Sequence, residues 1–142
     1  MNPALGCARH LLEHTLEQLA FAPSTPILED FDWAGPGVEW AEVPLVAPLR
    51  GTLVFGAAGG TLDGLATDAW GPEAGGDVAR TFLAEVANIL AGRLVGALHP
   101  DAEPVIGLPI SGEGLPPVAG SAHEICLDVD GGRVGLLLVL PE

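Results

Sequence analysis

Residues 78–98 read VARTFLAEVANILAGRLVGAL, the longest regular apolar pattern in the chain. Asp77, immediately before it, is a residue type favoured at helix N-caps, and Pro100, shortly after it, disfavours continuation of a helix. At about 100° of rotation per residue, the large apolar side chains fall on one side of such a helix. They are Phe82, Leu83, Val86, Ile89, Leu90 and Leu94. The stretch therefore predicts a helix whose apolar side packs on a sheet.

The opposite side of the predicted helix carries a narrow stripe of polar and small residues. Within roughly 80° of rotation it contains Thr81, Glu85, Asn88, Gly92, Gly96 and His99. A glycine inside a helix costs about 1 kcal/mol relative to alanine, so Gly92 and Gly96 need a reason such as the close approach of another backbone. We expect the stripe to face solvent and to be a docking surface. Arg93 falls on the apolar side by this projection, and we expect its stem to be packed with its charged head at the edge.

The remaining segments predict further helices and several strands. The expected elements are a first helix over 3–21 begun by Asn2 and Pro3, strands over 38–47 and 49–57, a short helix over 61–70, a strand over 105–110, and a hairpin of 124–129 and 133–140. Asp130-Gly131-Gly132 suits the hairpin turn, and 22–37, with three prolines, is expected to be an ordered connector. Because neighbouring strands follow one another closely, the order αββααβββ predicts an α+β fold with a largely antiparallel sheet and helices packed on it. A single domain over 1–142 fits this length.

Composition excludes several functional classes. Five arginines and no lysine stand against 19 acidic residues, for a formal net charge of −14. A nucleic-acid backbone or an anionic membrane binds proteins through a cationic patch, so nucleic acid and membranes are poor partners. The N-terminus lacks a basic signal-peptide region, and no apolar run reaches the roughly 18–20 residues of a membrane span, which favours a cytoplasmic protein. Cys7 and Cys126 support neither a disulfide framework nor a four-thiolate metal site.

The segment from Glu85 to Leu94, EVANILAGRL, resembles the signature helix of the CheC/CheX/FliY family of chemotaxis phosphatases, most closely its single-site CheX-like branch. The shared elements are an acid and an amide three residues apart, then an apolar residue and Ala-Gly-Arg-Leu. Pro109 is similar to a proline of the family pattern, at slightly shorter spacing, and residues 50–55 resemble its second-strand segment. Thr81 stands where the family usually has Asp or Ser. The first helix carries no second Glu-x-x-Asn, which implies one active site per chain.

The resemblance implies a protein phosphatase that hydrolyses the phosphoaspartate of a CheY-type response regulator. An amide can hold a water for in-line attack without removing its proton, and Asn88 would have this role. Glu85 would bind the lysine of the regulator's phosphorylation site. The residues expected to contact this partner are Thr81, Gly92, Gly96 and Pro109. Mg²⁺ would be carried by the regulator, with no cofactor or metal of the chain's own. The alternative is a non-catalytic protein that binds response regulators, as a scaffold, through the same helix face.

Two other features bear on metals and assembly. His10 and His14 lie four residues apart on the first predicted helix, as in helical zinc sites, but lack the His-Glu-x-x-His order, so we interpret them as an ordinary polar face. The run from Val134 to Leu140 is apolar enough to require cover on both faces. The resemblance also implies a homodimer, since CheX-like proteins pair. For both reasons we expect two copies of this chain to associate.

Overall fold

The structure is a computed structural model that describes residues 3–74, 76–116 and 121–141. Three helices and seven strands occur in these ranges. In chain order they are α1 (Pro3–Ala20), β1 (Ser24–Ile27), β2 (Glu39–Ala47), β3 (Gly51–Ala57), α2 (Gly59–Trp70), α3 (Asp77–Leu98), β4 (Val105–Ile106), β5 (Ile110–Glu113), β6 (Ser121–Val129) and β7 (Gly132–Leu140). The capping role predicted for Asn2 lies outside the described residues.

All seven strands form one antiparallel sheet with the order β1-β6-β7-β3-β2-β4. β4 and β5 pair with the same edge of β2, β4 near its C-terminal end and β5 near its N-terminal end. β6 and β7 form the predicted hairpin, and the positive φ angles of Asp130 (51°) and Gly131 (81°) are those of a tight two-residue turn. The predicted α+β class and largely antiparallel sheet are confirmed.

The main core lies between one face of the sheet and the three helices. Every apolar residue that the projection placed on this side of α3 is buried except Ile89, which is half-buried, as is Arg93. The buried residues of α3 are Ala79, Phe82, Leu83, Val86, Ala87, Leu90, Ala91, Leu94 and Val95. This burial fixes which side of α3 is left for solvent. The helix is long and apolar enough to cross a membrane by length and composition alone, but such helices also form the cores of globular domains.

A second, smaller cluster covers part of the opposite face of the sheet. The segment between β1 and β2 places Phe31 and Trp33 over the cross-strand pair Gly56 and Gly135. A Cβ atom at either glycine would come within 2.5 Å of these rings, so only glycine leaves room for them. Glu124 on β6 holds the segment down, accepting hydrogen bonds from the Phe31 backbone N–H (3.1 Å) and the Trp33 indole N–H (2.5 Å).

This second cluster also covers the far side of β7. Leu136 and Leu138 face the helices, while Leu137 and Val139 pack in the smaller cluster on the other side. Both faces of the central strand are thus covered within one chain. The apolar run 134–140 therefore gives no reason for a dimer, and the homodimer stays a prediction without that support.

Three local expectations were wrong. The predicted connector 22–37 contains β1, a four-residue strand at the edge of the sheet. Pro26 is tolerated there because an edge strand has one side without hydrogen-bonding partners, where a missing N–H costs nothing. The strand expected over 105–110 is divided into β4 and β5, and between them the Gly107 N–H donates 2.8 Å to the carbonyl of Pro44. Asp77 is the first residue of α3 rather than its N-cap, which is Gly76 with a φ of 58° and no side-chain hydrogen bond.

Candidate functional site

The stripe predicted on α3 lies on the side of the helix that the sheet does not cover. Thr81 and Glu85 are exposed, and Asn88, Gly92 and Gly96 are half-buried. At 1.5 Å per residue the part of the stripe from Thr81 to Gly96 runs for about 22 Å along the helix axis, and His99 follows as the C-cap residue of the helix. Glu85 and Asn88 are separated by slightly less than one turn. The acid and the amide therefore lie on the same accessible surface, where both can contact one partner.

The surface at the two glycines is open. An ideal Cβ placed on Gly92 or Gly96 meets no atom within 4 Å beyond the local helix backbone, among the residues the structure describes. The presence of two glycines inside a helix led us to expect close approach of another backbone. The described part of this chain supplies no such backbone. Any approach that accounts for them must come from outside it.

The first turn of α3 is anchored to the sheet through Arg80. Its Nε donates 2.5 Å to Glu39 on β2, and its terminal nitrogens lie 3.2 Å from Asp77 and 3.7 Å from Glu113 on β5. The hydrogen bond and charge of Glu39 raise the pKa of the Arg80 guanidinium above its ordinary value. The hydroxyl of Thr81 donates 3.1 Å to the Asp77 carbonyl within the helix. Thr81 is thus oriented by its own helix, with its hydroxyl oxygen free to accept.

The second half of α3 is anchored to α1 through Arg93. One terminal nitrogen, Nη1, donates to the hydroxyl of Thr15 and to the side-chain oxygen of Gln18, both at 2.9 Å. Thr15 is fully buried, whereas Gln18 is exposed. The head of Arg93 thus lies at the edge of the helix pair, as expected, but it is held there by two neutral acceptors. Nothing in the sequence pattern identified Thr15 or Gln18.

The remaining predicted residues lie away from the α3 stripe. Pro109 is half-buried in the connection between β4 and β5, on the sheet edge beside β2, and α3 contacts both of these strands. His10 and His14 are exposed on α1 with parallel rings 6.3 Å apart. No group of three or more metal-ligating side chains occurs within residues 3–74, 76–116 and 121–141.

The stripe is a convex surface rather than a cavity. Two depressions of about 380 and 360 Å³ lie beside the β6–β7 turn, and Glu85 and Asn88 line neither of them. Enclosed clefts are the usual sites for small molecules. An exposed acid and a half-buried amide on one accessible helix face suit a macromolecular partner that brings its own cavity to them.

Comparison with solved structures identifies the architecture. The chain aligns with the chemotaxis protein CheX of Vibrio vulnificus with a TM-score of 0.79 over 97% of this chain and 96% of that one, at 14% sequence identity. The chain has a CheX/CheC-like fold. The CheX–CheY–BeF3–Mg²⁺ complex of Borrelia burgdorferi gives a TM-score of 0.73 at 18% identity, covering 96% of this chain and 97% of the matched chain.

A third solved structure has a similar architecture. FliY of Thermotoga maritima aligns with a TM-score of 0.64 at 14% identity, over 96% of this chain and 84% of that one. No protein-family model matches the sequence. No curated protein sequence matches it either. The similarity is thus one of architecture, and the roles of individual residues have to be argued from the chain itself.

Proposed function

We propose that this chain is a phosphatase that hydrolyses the phosphoaspartate of a CheY-type response regulator. The observation that carries the proposal is the pair Glu85 and Asn88, one turn apart on the uncovered side of α3 in a CheX/CheC-like fold. The chain aligned in the Borrelia burgdorferi structure belongs to a complex of CheX with CheY. A receiver domain is a partner of the kind that a convex site requires.

The chemistry follows from the two side chains. A phosphoaspartate is an acyl phosphate, so its hydrolysis needs a water placed in line with the bond to be broken more than it needs a strong base. The amide of Asn88 can donate to and accept from such a water. The carboxylate of Glu85 only accepts, which suits the lysine ammonium of the regulator's phosphorylation site and fixes the register of docking.

The other residues of the stripe would form the contact surface. Thr81 would face the regulator one turn before Glu85, and the open surface at Gly92 and Gly96 would let the partner's backbone approach α3 closely. Pro109 would contact the partner from the neighbouring sheet edge. Mg²⁺ would arrive bound to the regulator, as the name of the Borrelia burgdorferi complex pairs it with CheY and a beryllofluoride group. The chain would supply no cofactor of its own.

Three further properties belong to the same proposal. The whole chain would act as one domain with a single active site, and it would work in the cytoplasm, where response regulators are found. A homodimer is also proposed, and light scattering across a range of protein concentrations tests it. A purely monomeric protein at high concentration would remove the dimer without affecting the phosphatase.

Mixing the purified protein with radiolabelled phosphorylated regulators from its own genome tests the activity. Loss of label from one regulator, faster than its spontaneous decay, is the expected result. The second candidate, a scaffold, is favoured by the departure at Thr81 from the Asp or Ser usual in the CheC/CheX/FliY pattern. Tight binding of a beryllofluoride-loaded regulator with unchanged decay of the phosphorylated form would support that candidate and reject the phosphatase.

A further inference from the structure

A hydrogen-bonded arginine borders the apolar contact between α1 and α3. Leu12 and Leu16 on α1 and Leu90 and Leu94 on α3 are fully buried in the main core. The half-buried Arg93 lies at the edge of this contact and donates from one nitrogen to the buried Thr15 and the exposed Gln18.

Stability alone does not account for this arrangement. Buried polar groups can often be replaced by apolar side chains of similar volume with no loss of stability. Apolar contacts, however, tolerate small rotations and slides of one helix on another. The two N–H groups of Arg93 Nη1 lie in the guanidinium plane, so they bond Thr15 and Gln18 together only in a narrow range of orientations. A bond to a fully buried hydroxyl therefore defines how α3 is turned relative to α1.

The position of Arg93 makes this rotation relevant to the proposed site. It follows Gly92 directly and lies five residues after Asn88, about 7.5 Å along the helix axis. The other end of α3 is tied to β2 and β5 by Arg80. Asn88 therefore lies between two fixed points, one on the sheet and one on α1.

We propose that Arg93 is a positioning residue: through Thr15 and Gln18 it fixes the rotation of α3, and thereby the direction in which Glu85 and Asn88 point. This inference rests on the proposed phosphatase function. Because misplacing a catalytic group by about 1 Å can cost on the order of 100-fold in rate, loosening α3 should lower turnover even in a fully folded protein.

Two measurements on Arg93→Met, Arg93→Lys and Gln18→Ala test the proposal. The first is kcat and KM for regulator dephosphorylation, per folded molecule and well below the unfolding midpoint. The second is the set of residual dipolar couplings of α1 and α3, which reports the orientation of one helix relative to the other and does not depend on activity. Arg133→Met is the matched control, since it removes an arginine bonded to Glu29 (2.8 Å) on the exposed surface.

Arg93→Met should lower kcat about 10-fold, with Gln18→Ala and Arg93→Lys between it and the wild type, because each of these keeps part of the bonding. The couplings of α1 and α3 should fit one alignment tensor in the wild type and the control, but not in Arg93→Met. Unchanged kcat, or changed kcat with unchanged couplings, would overturn the proposal. If the wild type hydrolyses no regulator, the phosphatase is rejected, and couplings that remain those of a single rigid body in Arg93→Met would reject the positioning role separately.

Discussion

Replacing Gly92 and Gly96 by alanine should have opposite effects on stability and on function. Both glycines lie inside α3, on the stripe proposed to contact a receiver. Their extra backbone freedom opposes folding, and the structure shows no neighbour in its described ranges that requires a missing side chain. The unbound protein should therefore become more stable, while docking becomes weaker.

The magnitude follows from the helix propensities and the open space. With nothing within 4 Å of either added Cβ beyond the local helix, no displacement offsets the gain of about 1 kcal/mol per glycine. The double variant should gain about 2 kcal/mol, or about 8 °C in Tm for a domain of this size. If a partner's backbone rests on this surface, two added methyl groups on successive turns should raise KM for the phosphorylated regulator by about 10-fold or more, equivalent to about 1.4 kcal/mol of binding.

Calorimetry and regulator dephosphorylation, measured on the same preparations, test both halves. Gly64→Ala is the matched control, because Gly64 is also a helical glycine with open space for a Cβ atom, but it lies on α2. It should raise Tm by about 4 °C and leave KM unchanged. An alanine at Gly92 that stabilises the protein without changing KM would refute docking on the stripe. An alanine at Gly92 that lowers Tm would show that the added Cβ meets another atom, and that the surface there is not open.

Three other perturbations have definite expected outcomes. Glu85→Ala should weaken binding of a beryllofluoride-loaded regulator by about 2 kcal/mol or more, since it removes one member of a desolvated charge pair, and unchanged affinity in a calorimetric titration would exclude that role. Gly135→Ala should destabilise the protein by about 1–3 kcal/mol in urea unfolding, because its Cβ would come within 2.5 Å of the Phe31 ring. Wild-type stability of this variant would show that Phe31 does not pack over Gly135. Burial raises the pKa of the Cys126 thiol, so the folded state holds that proton more tightly than the unfolded chain. The contribution of this thiol to the free energy of unfolding should therefore be fully present below about pH 8.5 and be lost as pH rises through the thiol's range. The fall in urea midpoint should become smaller in Cys126→Ala, and the Cys7 thiol, whose pKa burial also raises, should account for part of the remainder.

The sequence was most informative where one element carries a long, regular pattern. The 22 residues of α3 repeat the apolar period often enough to predict both the helix and the side it buries, and hence that Glu85 and Asn88 lie on the opposite side. β1 was missed because four residues with a central proline have almost no period of their own, and pairing with β6 decides their structure. The division between β4 and β5 likewise depends on a backbone contact with β2 that no local pattern reports.

The surroundings of the site were less predictable than the site itself. Arg93 could be placed near the edge of the helix, but its acceptors Thr15 and Gln18 are 78 and 75 residues away in sequence. A single sequence contains no signal for such a pairing. The same holds for the cover of β7, where Phe31 lies over Gly135 through contacts between segments remote in the chain. The apolar period of a strand shows that it needs cover and does not show what supplies it.

The proposed role of Asn88 in positioning the attacking water is measured by the decay of a labelled phosphoregulator at saturating protein. The regulator should be one that the wild type dephosphorylates, and binding should be measured in parallel with its beryllofluoride-loaded form. Asn88→Ala should bind with nearly unchanged affinity and lower the dephosphorylation rate by about 100-fold or more, as the loss of one well-placed polar contact in a transition state does. An Asn88→Ala protein that turns over this regulator at the wild-type rate would contradict the account and assign the chemistry to another residue.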